Sequence, residues 1–133
     1  MHQSIDIEQL DIEVSGACNY RCQMCPHESG RSKNFISNMP FDLFKKIVDD
    51  ASQYGLKTVS LQGSGEPTLN KNLPKYIEYV KSKNLYCYFL SNGYLLKDKF
   101  ANDILDSGID LIRISAIGYD KESYYNWMSK DHY

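Results

Sequence analysis

The chain contains no run approaching the roughly 18 consecutive apolar residues needed to span a bilayer. Its opening residues, 1–8, carry neither the basic start nor the apolar stretch of a secretion signal. With only four cysteines in 133 residues, a disulfide framework is not indicated, and the expected setting is the reducing cytoplasm. No block of one charge stands out. Fifteen Lys and Arg against seventeen Asp and Glu give a net charge of −2, which argues against a nucleic-acid or anionic-membrane partner. Nor does any low-complexity tract or Pro/Gly/Ser-rich linker divide the chain, and its four prolines sit singly at element boundaries. Residues 1–133 therefore read as one domain, with 42% hydrophobic and 13% aromatic content sufficient for a packed core.

What cysteine there is lies together. Cys18, Cys22 and Cys25 stand in the run Cys18-Asn19-Tyr20-Arg21-Cys22-Gln23-Met24-Cys25. Three thiolates at this CxxxCxxC spacing can take three corners of a [4Fe–4S] cube, leaving the fourth iron open to another ligand. Structural zinc is the alternative, with His27 or the distant Cys87 completing a tetrahedron, but zinc sites of that kind usually arrive as two paired motifs and no second pair exists here. Cys87, central in an apolar run, reads as a small core residue. His2, His27 and His132 have no assignable partner and read as surface residues.

Hydrophobic periodicity predicts four repeats of strand and helix. Leu10-Asp11-Ile12-Glu13-Val14 alternates like a strand and leads directly into the cysteines. After Pro40, the residues Phe41, Phe44, Ile47, Val48 and Ala51 recur at helical spacing, with Gly55 as a stop. Residues 58–61 form a second strand, and Leu73, Tyr76, Ile77 and Val80 mark a second helix starting near Asn72 and Pro74. Residues 85–90 make a near-continuous β-prone run, as a parallel strand buried on both faces requires. A third helix follows around Phe100 and Ile104 up to Gly108, then a fourth strand at 111–114 and a fourth helix at 121–128. Such alternation predicts an α/β fold with a parallel sheet, right-handed crossovers, and ligands at the C-terminal strand ends.

Four motifs at those ends resemble the radical S-adenosylmethionine (SAM) enzymes. The cysteine run is similar to that family's cluster motif, with Met24 as the apolar residue before the third cysteine. Gly63-Ser64-Gly65-Glu66-Pro67 resembles its glycine-glycine-glutamate motif with Ser64 in place of a glycine, Ser91-Asn92-Gly93 its ribose-binding turn, and Arg113-Ile114-Ser115 the end of its fourth strand. The resemblance implies that Cys18, Cys22 and Cys25 ligate a [4Fe–4S] cluster whose open iron chelates SAM, and that reductive cleavage of SAM yields a 5′-deoxyadenosyl radical for hydrogen abstraction. It further implies an external electron donor such as flavodoxin or ferredoxin and a substrate that is a small molecule or a peptide.

On the same resemblance, Met24 packs near the adenine or the cluster, the backbone at Ser64, Gly65 and Glu66 meets the SAM amino group, and Ser91 and Asn92 meet ribose hydroxyls. Each segment also has a plain reading: loop packing for Met24, an ordinary strand-to-helix turn at 63–67, and a left-handed turn at Asn92-Gly93. Arg113 and Ser115 share one strand face, opposite Ile112 and Ile114, which places the polar pair inside the barrel. An inward arginine calls for a carboxylate, from SAM, from substrate, or internally from Glu13 or Glu66. For Tyr119, Tyr124, Tyr125 and Trp127, core packing is the expectation.

A complete (β/α)8 barrel takes about 250 residues. The fold expected here is thus a partial TIM-like barrel of about four βα units, the N-terminal part of a radical SAM core. The motifs look most like the group containing molybdenum-cofactor, peptide-modifying and activating enzymes. A non-catalytic cluster-binding module and a structural zinc protein are the competing readings. A half-barrel with an open inner face is expected to self-associate or to be unstable alone.

Overall fold

The computed structural model describes residues 5–25 and 37–131. Its strands are β1 (Gln9–Asp11), β2 (Thr58–Ser60), β3 (Tyr86–Ser91) and β4 (Leu111–Ile114), and its helices are α1 (Phe41–Ser52), α2 (Leu73–Ser82), α3 (Asp98–Asp106) and α4 (Lys121–Met128). The strands form one parallel sheet in the order β1-β2-β3-β4. This is the expected partial α/β barrel, with every strand followed by a helix.

Two strands are shorter than the pattern suggested. β1 ends at Asp11 rather than Val14, although the Ile12 amide still donates to the Ser60 carbonyl at 2.8 Å. β2 ends at Ser60, and the Leu61 amide donates to the Tyr88 carbonyl at 2.9 Å. The chain leaves the sheet early at the very end where the loops must splay apart to make a site. Helix boundaries agree more closely, with α4 at the expected span and α2 beginning after Asn72. Gly55 and Gly108 follow α1 and α3 with φ of 82° and 84°, the left-handed conformation for which glycine is the cheapest residue.

Alternation sorts the strands into two faces. Ile12, Val14, Val59, Leu61, Cys87 and Phe89 are buried against Phe44, Val48, Ile77, Val80 and Ile104 of the helices. This is the core, and it confirms Cys87 as a packing residue whose thiol is pushed up to about 12, first by burial and then by the nearby Asp110. Phe41 and Phe44 of α1 stack tilted or edge-on against Tyr76 and Tyr79 of α2, with centroids 4.8 to 6.4 Å apart, and lock the two helices together. The opposite, inner face is polar. Register sets Asp11, Ser60, Tyr88 and Leu111 side by side there, with Leu90 beside Arg113 one step further on. Gln9 on the same face donates to Asp11 at 2.9 Å and to the Tyr88 hydroxyl at 3.2 Å. No helix among the described residues is long and apolar enough to cross a membrane.

The end of the sheet remote from the motifs is pinned by one charged cluster. Asp110, just before β4, accepts from Lys81 Nζ at 2.6 Å and from the Cys87 amide at 2.7 Å, while Lys81 also donates to the Leu85 carbonyl at 2.9 Å. Burial works to raise the Asp110 carboxyl, but the Lys81 and Cys87 hydrogen bonds together with the Lys81 charge outweigh it and hold the group below the ordinary carboxylate range. A carboxyl depressed in the folded state contributes stability that is fully present above its unfolded value of about 3.9 and disappears as pH falls through the folded value. Asp110→Asn is therefore expected to lower stability by about 1 kcal/mol near neutrality and to flatten the loss of stability below about pH 4. Denaturant unfolding across pH 3 to 7 checks this, and parallel acid limbs for the two proteins would contradict it.

Candidate functional site

All the sequence motifs come to one end of the sheet because a parallel strand delivers its following loop there. After β1 the chain turns through Cys18, Cys22 and Cys25. The Tyr20 amide donates to Cys18 Sγ at 3.4 Å, and the Cys25 amide donates to the Cys22 carbonyl at 3.0 Å. Arg21 folds back to donate to the carbonyls of Cys18 and Tyr20, both at 2.7 Å. The loop is then clamped from outside by α4. Cys22 Sγ donates to the Met128 carbonyl at 3.8 Å, the Gln23 amide to the Trp127 carbonyl at 3.1 Å, and the Tyr20 and Tyr124 hydroxyls meet at 3.3 Å. Of the aromatic group at 119–127, only Tyr124 is buried. Tyr119 is 87% exposed, and Tyr125 and Trp127 are exposed as well, so core packing fails for three of the four. α4 is short and buries Tyr124 and Met128 on the side it turns to the protein, so Tyr125 and Trp127 lie toward solvent, and Tyr119 stands in the turn before the helix.

The loop after β2 is built into its surroundings. A Cβ on Gly65 would lie 1.8 Å from the Ser15 carbonyl oxygen, so glycine is required by the protein's own backbone, not only by an approaching ligand. Glu13 seals the contact. It fills the space above Gly63, accepts from the Gly65 amide at 2.8 Å, and leaves the Glu66 amide to donate to the Ala17 carbonyl at 2.7 Å. Gly65→Val would thus strain the fold before it tested ligand binding.

Glu66 is 3% exposed. Its Oε1 accepts from the Thr68 amide at 3.1 Å, Thr68 Oγ1 at 2.6 Å and Ser91 Oγ at 2.7 Å, and its Oε2 from the Asn92 amide at 2.8 Å. The carboxylate caps a short 3-10 turn at Pro67–Leu69 and ties the loop of β2 to that of β3. Ser91 is buried with its proton committed to Glu66, and its oxygen accepts from the Gly93 amide at 3.0 Å. Asn92 donates to Asn19 Oδ1 at 2.8 Å and accepts from the Tyr94 amide at 3.0 Å, while Gly93 has a φ of 79°. The left-handed turn is present, and Ser91 serves as its strut.

Cys18, Cys22, Cys25, Met24, Ser64, Gly65, Glu66, Ser91, Asn92 and Ser115 all line one cleft of about 210 Å³. A second hollow of about 360 Å³ shares Tyr20, Asn92 and Ser115 with it and extends past Gly93 and Tyr94. Met24 is exposed at the rim. Arg113 lies outside both hollows, on the exposed inner face, with its guanidinium carbon 5.3 Å from the Tyr88 ring centroid. The internal ion pair with Glu13 or Glu66 does not form: Glu13 accepts from the Gly65 amide in the loop of β2, and Glu66 is committed to Thr68, Ser91 and Asn92 across the loops of β2 and β3.

Burial raises the thiols of Cys18 and Cys22, the latter to about 11, so a metal's own charge must drive thiolate formation there. Cys87 sits on the helix side of the sheet, away from the cleft, and cannot complete a zinc tetrahedron with the other three. The three histidines lie outside the described residues. Among the described residues no three His, Cys, Asp or Glu side chains converge on a single metal ion.

Comparison with known proteins decides the family. The radical SAM superfamily profile matches residues 12–133. The chain belongs to the radical SAM superfamily. It is 29% identical over 118 residues to a probable GTP 3′,8-cyclase of Methanococcus maripaludis, covering 89% of this chain and 39% of that protein. A tungsten-containing aldehyde ferredoxin oxidoreductase cofactor-modifying protein of Pyrococcus furiosus is 32% identical over 110 residues, covering 82% of this chain and 30% of that one. The chain thus spans about two fifths or less of the length of these relatives. Among solved structures, Streptococcus suis SuiB bound to S-adenosylmethionine superposes with a TM-score of 0.77 at 20% identity, covering 95% of this chain and 28% of that one. BtrN in complex with AdoMet and 2-DOIA gives 0.71 at 24%, covering 86% and 46%. These last two establish the barrel fold.

Several residues that build this cleft have structural parts that the sequence did not reveal. Glu13, Asn19 and Met128 look like ordinary strand, loop and helix residues. Asn70, 1% exposed, donates to the Val14 carbonyl at 3.2 Å and accepts from the Asn72 amide at 3.0 Å, tying the approach to α2 to the chain after β1, while Asn72 stands at the expected N-cap position without a side-chain cap bond. Gly118 was also missed. At φ 113° it passes so close beneath α4 that a Cβ would lie 2.4 Å from the Tyr124 nitrogen. Glu66→Ala is expected to cost about 3 kcal/mol, since four buried donors lose their acceptor. Glu66→Gln, which turns one acceptor oxygen into a donor against an inward N–H or O–H, is expected to cost nearly as much. Chemical denaturation measures both, and a loss below about 1 kcal/mol in either would contradict the strut role of this carboxylate.

Proposed function

We propose that Cys18, Cys22 and Cys25 hold a [4Fe–4S] cluster and that the cleft beside them takes SAM, making the chain the cofactor-binding part of a radical SAM enzyme. The observation that carries this reading is the opening of three thiols and the loops of β2, β3 and β4 onto one cleft. The donor set fits the group. Three soft sulfur ligands, with Cys87 on the far side of the sheet and no other thiol among the described residues lining the cleft, suit an iron–sulfur cluster with one open iron better than single-ion zinc. The structures of SuiB and BtrN, both in complex with SAM, support the same assignment.

A cluster held by the three cysteines, with SAM in the cleft and one electron from a donor such as flavodoxin or ferredoxin, would supply reductive cleavage of the SAM carbon–sulfur bond and so hydrogen abstraction from a small-molecule or peptide substrate. The chain's own residues would bind and orient. The backbone at Ser64, Gly65 and Glu66 would receive the amino end of SAM. Asn92 and Ser115, shared between the two hollows, and the buried Ser91 behind them would serve the ribose. Met24, at the rim, would pack beside the adenine or the cluster and limit the access of water, which helps to keep a cluster's potential low. Arg113, stacked over Tyr88, offers a planar fork to a carboxylate of SAM or substrate.

Anaerobic reconstitution is expected to give about four iron and four sulfide per chain. Replacing Cys18, Cys22 or Cys25 singly with Ala should abolish the reduced-cluster electron paramagnetic resonance signal, while Cys87→Ala should keep it. Dithionite and SAM should then yield 5′-deoxyadenosine. Stoichiometric zinc without sulfide would overturn the assignment, and a SAM-insensitive cluster would favour a non-catalytic module.

The polar inner face, with Tyr86 44% exposed, supports a companion expectation on assembly. The chain alone should associate with itself, and light scattering should report a dimer or larger species. A monomer with strongly protected β4 amides in hydrogen exchange would show otherwise.

A further inference from the structure

A groove of about 440 Å³ lies on the rim between the 3-10 turn at Pro67–Leu69 and the start of α3. Its apolar lining comes from Leu69, Leu95 and Phe100, and Lys71, Lys97 and Lys99 surround it against the single Asp98. A local excess of two positive charges on a chain of net charge −2 is a concentrated feature. Lys99 pairs with Asp103 through exposed side chains, and Lys97 lies 5.3 Å over the Tyr94 ring. Neither Lys71 nor Lys97 has a carboxylate partner among the described residues.

The placement works against local stability. Lys97 and Lys99 occupy the cap and first turn of α3, the positive end of the helix, where a cation costs roughly 0.3 to 1 kcal/mol and no side chain caps the amides. Asp98 at the first helical position carries a left-handed φ of 54°. Asp98 in the first turn, the exposed Lys99–Asp103 pair and the Tyr94 ring under Lys97 offset this only in part, and breaches of local rules of this kind are expected where a surface is used.

The groove and the cysteine cleft are two sides of one turn. Glu66 lines the cleft, and Thr68, bonded to its carboxylate at 2.6 Å, lines the groove with Leu69. From Glu66 to Leu69 the chain reaches at most about 11 Å. We propose that this lysine-rimmed groove is the docking surface for an acidic one-electron carrier protein that reduces the cluster. The proposal rests on the assignment of a cluster to the three cysteines. An apolar floor for contact, cations for steering, and a cofactor one turn away are what such a partner needs. In the transfer, an anionic flavin hydroquinone gives up one electron to become the neutral semiquinone, and that electron would enter the cluster with no proton released.

Reduced flavodoxin serves as the probe, with the full chain reconstituted under anaerobic conditions. Lys71→Glu/Lys97→Glu is expected to slow flavodoxin association by about tenfold or more at low salt and to flatten its salt dependence. Dithionite-driven 5′-deoxyadenosine formation should stay within twofold, and Lys45→Glu/Lys46→Glu on α1 should leave association unchanged. Direct binding measurements need no turnover, so a failure of SAM cleavage with dithionite would count against the cluster assignment alone. Unchanged association in the folded double variant, or no flavodoxin binding by the parent chain, would overturn the docking surface. If the charge-reversed pair does not fold, Lys71→Gln/Lys97→Gln must show a smaller loss in the same direction.

Discussion

The arrangement of the site depends on one buried carboxylate. Glu66 sits between two strand-end loops that have no other strong reason to stay together, and it accepts from four donors on three residues. A buried charge persists only when its hydrogen bonds are made, so the two loops must approach to satisfy it. Once they do, Ser91 and Asn92 are placed relative to Ser64 and Gly65, and the glycine turn at Gly93 is held by the Ser91 hydroxyl. Glu13 makes a second, smaller version of the same device between β1 and the glycine loop. Two acidic side chains, neither facing a partner cation, thereby set the mouth of the cleft.

The repeat of strand and helix was legible because each element has one apolar side. Val59, Leu61, Cys87 and Phe89 alternate or run together as a half-buried parallel sheet requires, and the helices show their cores at Phe44, Val48, Ile77 and Ile104. The cysteines and glycines were legible because few residue types can do their work. What sequence reading could not show was the partner of each polar side chain. Glu66 reads from the motif as a backbone contact, yet its carboxylate is the strut. Ser91 looks like a free hydroxyl, but it is enclosed. Asn70 and Gly118 carry no periodic signal, because their roles come from chain segments dozens of residues away or from a close backbone approach. The aromatic group near the C-terminus misled for a related reason: aromatic content reports potential burial, and the neighbours of a short helix decide how much of it is realised.

The two faces of the sheet divide the labour. The helix side is dry and aromatic, while the inner side carries Gln9, Asp11, Tyr88 and Arg113. An inner face of this composition gains little from collapsing on itself. It leaves Arg113 supported by the Tyr88 ring, with no carboxylate paired to it among the described residues. The rigid charged pin at Asp110 and Lys81 lies at the other end of the strands. The sheet is thus held at both ends, by Asp110 and Lys81 at one and by the buried Glu66 beside the cleft at the other.

The clamp of α4 on the cysteine loop has a consequence in time. Cys22 and its partner Met128 are 106 residues apart in the chain. During synthesis the thiols therefore emerge long before the helix that covers them. Over that interval the cysteine loop is held on one side only, by Glu13, Gly65 and the backbone of residues 15–17. Long-range contacts of this kind form late in folding, after local turns and helices. The chain consequently passes through a stage in which its sheet is forming while the cysteine loop is still open on the α4 side, and the docking of α4 closes that side over Cys22.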